Sequence, residues 1–235
     1  KKIVKLEEMV VKEEMIYEPQ KSEVKIADST TQIGQTPVDV IQHEVGIDIQ
    51  RRSLMTPKSK MFRLRGFDSE KTLITLDGRP INGSGVYGGY QIDWSMMQLE
   101  DIEKIEIIRG ATSAEFGNTI GGVINLVTKE PTEKFECNFN YGYKRWQTYQ
   151  FKGFLSGKFN PFDLQSNYKP FGFTLGGHYL ETNGYLRNSE VRRKAFSPSL
   201  YYYFSGGGKL KAGLRYSEGW FETPVTNFRD NTDYN

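Results

Sequence analysis

The chain has almost nothing with which to cross-link itself or hold a transition metal. One cysteine, Cys137, and two histidines, His43 and His178, occur in 235 residues. A single cysteine excludes an internal disulfide and any Cys-cluster metal site, and so few histidines leave no metal centre to expect. Long apolar runs are also missing: no stretch reaches the roughly 18 residues a transmembrane helix needs. Lys1-Lys2 lead into a mixed stretch rather than an apolar core, so no signal peptide is visible. Excess charge of one sign is absent too. The 31 Lys+Arg and 29 Asp+Glu leave a net charge of +2, which excludes the concentrated basic face that nucleic acid requires. No carboxylate pair or nucleophile–base arrangement points to catalysis, so neither an enzyme nor a cofactor is expected. The lack of an initiator Met and the abrupt end at TDYN are what an incomplete chain would show.

What is abundant is aromatic residues and glycine: 14 Tyr and 15 Phe beside 24 Gly, a mixture common in antiparallel β-structure. The two halves follow different rules. Up to about Lys129, short strand and helix patterns alternate. VKIAD, IDIQ, MFRLRGF, KTLITLDG and KIEIIRG read as strands. TPVDVIQHEV reads as a helix, with Thr36 as N-cap, Pro37 at the first helical position and an apolar stripe of Val38, Ile41 and Val45. DWSMMQLEDIEK reads as a second helix, starting near Asp93 or Ser95. These patterns predict a small mixed sheet with short helices.

From Phe135 onward, apolar and polar residues alternate strictly. Phe135, Cys137, Phe139, Tyr141 and Tyr143 form the first apolar row, set against Glu136, Asn138, Asn140, Gly142 and Lys144. The pattern returns at Tyr149–Leu155, Phe171–Tyr179, Phe196–Phe204 and Leu210–Tyr216. Strands of about ten residues are roughly twice the usual length and match what a tilted strand needs to cross a bilayer. Five such strands cannot close a barrel, and an open edge in lipid would leave backbone groups unpaired. The pattern therefore predicts the beginning of a transmembrane barrel whose other strands lie outside this sequence.

Between the two halves, IEIIRGATSAEFGNTIGGVINLVTK places Gly110, Gly117, Gly121 and Gly122 within thirteen residues. A Walker-type phosphate loop needs Lys-Ser or Lys-Thr after its last glycine, but Gly122 is followed by Val123-Ile124. A dinucleotide loop needs G-x-G-x-x-G opening a helix, and here an extended VINLVTK follows. Both readings fail.

The same residues carry a resemblance. MQLEDIEKIEIIRGATSAEFGNTIGGVINLVTK (97–129) is similar to the plug-domain signature of TonB-dependent outer-membrane receptors. MFRLRGFDSEKTLITLDGRPIN (61–82) resembles that domain's other hallmark, an Arg-Gly strand followed by a strand ending in Asp-Gly-x-Pro. TPVDVIQHEVGIDIQRRS, ahead of both, fits the segment where the family usually has a Pro-Gly-Val turn, although here the turn reads Glu44-Val45-Gly46-Ile47. The resemblance implies an α+β plug over 24–130, preceded by a periplasmic segment (1–23). The first five or so strands (131–235) of a barrel of about 22 follow. The glycines then serve as tight turns and points of close backbone approach.

The resemblance also implies roles. Glu8-Met9-Val10-Val11 is similar to the TonB box, which adds a strand to the inner-membrane coupling protein TonB; Ile3–Leu6 is the rival segment. Arg65, Glu106 and Arg109, in the two Arg-Gly motifs, are expected to lock plug to wall through barrel carboxylates, so that Arg109→Ala would leak large solutes. Arg79, Tyr87, Tyr90 and Trp94 are expected to meet ligand, the rings by stacking and Arg79 by pairing with an anion. The expected function is TonB-powered uptake of a scarce nutrient across the outer membrane of a Gram-negative bacterium, with the N-terminus in the periplasm and outer-membrane lipid around the barrel. A siderophore or other metal complex is the default ligand. The alternatives are a TonB-independent gated pore, a surface adhesin, and a signal transducer, which would carry an extra domain ahead of the box and is disfavoured by the seven residues before Glu8 unless the start is trimmed.

Overall fold

The computed structural model describes residues 20–26, 35–51, 60–68, 71–81, 83–84, 90–91, 94, 97–109, 119–162, 168–184 and 186–222. In chain order its elements are β1 (Gln20–Lys25), α1 (Pro37–Ile41), β2 (Ile47–Arg51), β3 (Lys60–Leu64), β4 (Phe67–Asp68), β5 (Thr72–Leu76), β6 (Arg79–Pro80), β7 (Gly83–Ser84) and β8 (Tyr90–Gln91). There follow β9 (Ile102–Arg109), β10 (Gly122–Thr128), β11 (Glu136–Lys144), β12 (Thr148–Phe159), β13 (Phe171–Thr182), β14 (Val191–Tyr203), β15 (Lys209–Gly213) and β16 (Tyr216–Phe221).

The N-terminal half is built on a mixed five-stranded sheet, ordered β1-β9-β10-β5-β6. Only β10 and β5 run parallel; the other neighbours are antiparallel. Alternation sends Ile105 and Ile107 of β9, Ile124 and Leu126 of β10 and Ile74 of β5 to one face. There they are fully buried with Val38 and Ile41 of α1 and with Phe62 and Leu64 of β3. α1 starts where the sequence predicts: Pro37 opens it, and Asp39 folds back to accept from the Thr36 amide and hydroxyl. The sheet also reaches back into the segment read as 1–23, because β1 begins at Gln20.

The helix predicted over DWSMMQLEDIEK does not form. Among its described residues only Trp94 shows a helical turn, of 3₁₀ type, and Ile102 already belongs to β9. All four isoleucines of β9 are β-branched; Ile105, Ile107 and Ile108 pair with β1 on one side and β10 on the other, and Ile102 pairs with Thr128 of β10, which offers more than an isolated helical turn would.

β11 to β15 form an antiparallel meander in chain order. The fifth strand is broken into β15 and β16, both paired with β14 in one unslipped register. The break lies opposite Pro198, which has no N–H to give the ladder; there the Leu214 amide donates to the Pro198 carbonyl. One face of the sheet carries exposed Phe139, Tyr141, Phe151, Phe196, Leu200, Leu210 and Trp220. Its rings meet across strands, with Tyr141 and Phe151 centroids 4.9 Å apart and Phe151 and Tyr179 6.3 Å apart. A contiguous apolar face of this kind needs a lipid-like covering. The other face bears Gln150, Lys152, Ser156, Thr174 and Ser197, all buried.

Gly122 shows why the Gly-rich segment needs so little side chain. Its φ of +126° lies in a region that glycine alone adopts readily, and a Cβ there would stand 2.5 Å from the Ile108 carbonyl oxygen. Gly122→Val should therefore destabilise the first half by about 2 kcal/mol or more, read as a lowered urea midpoint.

Candidate functional site: the contact between the two sheets

The turn Leu99–Asp101, which leads into β9, presses against the polar face of the meander. Gly176 of β13 permits the approach: a Cβ on it would meet Ser197 Oγ at 2.6 Å and Asp101 Cβ at 3.1 Å. Gln98 donates to the hydroxyl of Ser197, and Asp101 pairs with Arg215. Glu100 lies between two strands, with Lys152 Nζ 3.7 Å from one carboxylate oxygen and His178 Nδ1 3.4 Å from the other. The Glu100 and Lys152 side chains are each only 7% exposed. Gln150 Nε2 lies 3.1 Å from His178 Nε2. The His178 ring thus sits between the Gln150 amide and the Glu100 carboxylate.

Further contacts of the same sense follow towards β15. Asp77, in the β5–β6 turn, accepts from Lys211 at 2.6 Å and from the Thr128 amide at 2.8 Å. Glu130 pairs with Lys209, and Glu133 accepts from Lys158 at 2.6 Å. Every acid in this set belongs to the first half or to the link after β10, and every base belongs to the meander.

The environment tunes these carboxyls unequally. Burial pushes Glu100 up, but the His178 hydrogen bond and the nearby positive groups outweigh it, so its pKa falls below the ordinary value. Burial prevails at Asp101, whose pKa is raised despite Arg215, with the neighbouring Glu100 charge adding to the rise. Burial also opposes the lowering at Asp77, where Lys211 and Thr128 win.

The residues expected to lock the two halves together lie elsewhere. Arg109, 6% exposed, donates through Nε to the Val45 carbonyl and through Nη1 to Ser22 Oγ, with Glu44 at 3.6 Å. All three partners belong to the first half. Glu106 likewise joins an internal row: Lys21 at 3.0 Å, Lys104 at 2.8 Å and Asn125 at 3.0 Å. Asn125 in turn accepts from Thr75. Burial opposes ionisation of Glu106, yet hydrogen bonds from Lys104, Asn125 and Lys21 hold it at about 2. Arg65 sits in the β3–β4 turn with φ +54°, its amide bonded to the Gly46 carbonyl, and is exposed with no ion pair among the described residues. Thus Arg109 and Glu106 hold the first half to itself, and the inter-sheet pairs use acids that the motif comparison did not single out.

Of the expected ligand residues, Trp94 requires correction. It is 3% exposed in the core, its ring 6.0 Å from that of Phe62, so it packs the interior and is not offered to a ligand. Arg79 is exposed on β6, and Tyr90 lies on β8, paired with Ser84. Tyr87 and the box Glu8, Met9, Val10 and Val11 fall outside the described residues. The signal that could have found Glu100, Asp101 and Lys152 was inward parity: Lys152, His178, Lys211 and Arg215 occupy polar positions of membrane-length strands, where a charge needs a partner.

Comparison with known proteins agrees with this fold. Residues 19–123 match the family described as TonB-dependent Receptor Plug Domain. That stretch is a plug domain, and the chain joins it to antiparallel strands of the kind that form the barrel of TonB-dependent receptors. Among solved structures, the pyoverdine outer-membrane receptor FpvA from Pseudomonas aeruginosa PAO1 is 18% identical with a TM-score of 0.70, over 86% of this chain and 28% of its own. The ferric citrate transporter FecA is 16% identical with a TM-score of 0.68, over 86% of this chain and 31% of its own. The alcaligin outer-membrane receptor FauA from Bordetella pertussis is 20% identical with a TM-score of 0.63, over 86% and 32%. At such identities the likeness is one of fold, and the chain spans less than a third of each relative's length.

Two measurements test the electrostatics. Glu100→Ala should strand Lys152 in a buried site and weaken the seating of the plug by about 3–5 kcal/mol. The pair Glu100→Gln with Lys152→Gln should cost less; the urea midpoint for plug release in the full-length protein compares them. The Glu106 carboxyl is lowered from 4.5 to about 2, so its contribution is complete above pH 4.5 and fades as pH falls towards 2. Glu106→Gln should flatten that acid limb of plug stability.

Proposed function

We propose that this chain is the N-terminal part of an outer-membrane receptor that imports a scarce nutrient by TonB-dependent active transport in a Gram-negative bacterium. The observation that carries the reading is a plug domain held by buried ion pairs against the polar face of a sheet whose opposite face is fit for lipid. A plug held by discrete pairs can be pulled away and reseated, which a gate requires. Glu8-Met9-Val10-Val11 is the TonB box of this reading, the periplasmic segment that TonB takes as an added strand. A siderophore or other metal complex is the substrate, in keeping with what the named relatives bind or carry. Arg79, Tyr87 and Tyr90 meet the ligand, and Arg65, exposed in its turn, reaches a carboxylate on the rest of the barrel wall.

Uptake of a ferric siderophore by cells carrying the full-length receptor tests the reading. Both a protonophore and Val10→Pro, which removes an N–H from the added strand, should abolish accumulation while leaving surface binding intact. Accumulation unaffected by either would favour a TonB-independent pore.

A further inference from the structure

The charges on the two faces of the meander are arranged differently. On the lipid-fit face they cancel within the sheet: Arg192 pairs with Glu181 and Glu190, and Lys194 with Glu218. On the opposite face, Lys152, Lys158, Arg193, Lys209, Lys211 and Arg215 share the inward register of β12, β14 and β15–β16, joined by His178 of β13. The single acid of inward register on β11 to β16 is Glu136 of β11, and its carboxylate accepts from the Asn138 side chain. The counterions of the wall come from elsewhere. Glu100, Asp101 and Asp77 belong to the plug, and Glu130 and Glu133 to the link behind it.

This division has a consequence for transport. Withdrawing the plug carboxylates would leave a basic surface running from Lys152 and Arg193 to Lys211 and Arg215, inside a wall backed by lipid. A low-dielectric surround strengthens such a field and concentrates ions of opposite sign. The closed state already contains a foothold. A cavity of about 280 Å³ between the β5–β6 turn and β14–β15 is lined by Arg79, Lys211 and Arg215 together with Asp77, Asp101 and Ser197. Arg215 commits one guanidinium nitrogen to Asp101 and leaves Nη1 without a hydrogen-bond partner among the described residues. Three cations thus face two carboxylates: Lys211 and Arg215 belong to the wall, and Arg79, Asp77 and Asp101 to the plug.

We infer that this inner wall is a track for an anionic cargo, masked in the closed state by the carboxylates of the plug, so that the substrate is a negatively charged complex. The inference rests on the transport reading and deepens it. The plug's acids act as surrogate cargo: they hold the wall's cations in place and give them up to a passing anion when the plug moves. A cationic or neutral substrate would gain nothing from this wall.

The full-length receptor in a planar bilayer, its plug displaced by urea, provides the test. The reversal potential in a KCl gradient gives the chloride-to-potassium permeability ratio. The triple variant Lys158→Gln, Lys209→Gln, Lys211→Gln removes exposed wall charges, and Arg193→Gln, measured separately, removes a buried one. Each should lower the ratio by about twofold or more, as expected when charges lining a pore are removed. On the unmodified protein, sodium citrate should block the current at about tenfold lower concentration than spermidine, its charge-reversed counterpart. Unchanged ratios in both variants with folded barrels, or equal block by citrate and spermidine, would overturn the inference and leave the receptor reading intact. Absence of any plug-dependent pore would overturn both.

Discussion

A charge buried between two packed surfaces must find its opposite there, and the Glu100–Lys152–His178 cluster is where this molecule meets that constraint. Neither Glu100 nor Lys152 could stay ionised alone at 7% exposure, so the wall determines where the plug sits. Gly176 sets the distance, because any larger side chain would hold Gln98 and Asp101 away from Ser197 and Arg215. With the plug anchored on its polar face, the meander is free to present its aromatic face to lipid.

Two kinds of polar network share the work. The row Glu23–Glu106–Asn125–Thr75 runs in register across four strands and holds the mixed sheet to itself, Lys21 and Lys104 bridging the two carboxylates that face each other. Arg109 clamps the end of β9 to β1 and to the turn after α1. The inter-sheet pairs are separate from these. A plug whose internal network uses none of its wall contacts can keep its own fold while those contacts break. That separation is the physical requirement for a part that is both stable and displaceable.

The Gly-rich segment between the halves has a parallel role. Its length and glycines invite a ligand-binding reading, yet Gly122 is needed because the backbone of Ile108 lies where a Cβ would go. Close strand packing, rather than room for a phosphate, sets the residue type. β10 then runs through Thr128 to the link and on to β11, the first membrane-length strand.

Period and length, which depend only on neighbours along the chain, were legible from residue order. Alternation over about ten residues predicted four of the long strands, and Thr36-Pro37 predicted α1. The fifth strand was also predicted, but its break opposite Pro198 depended on which residue lies across the ladder. The fold class was readable for the same reason. Local pattern failed where tertiary partners outweighed it. Ile102 entered β9 instead of a helix because Thr128 of β10 pairs with it, and Trp94 filled the core beside Phe62. Sequence by itself determined that the second half has a lipid-fit face and a polar face bearing cations. Only the tertiary structure decided that those cations are answered by Glu100, Asp101 and Asp77 of the plug, since which charges meet across a buried contact depends on the approach of two surfaces far apart in the chain.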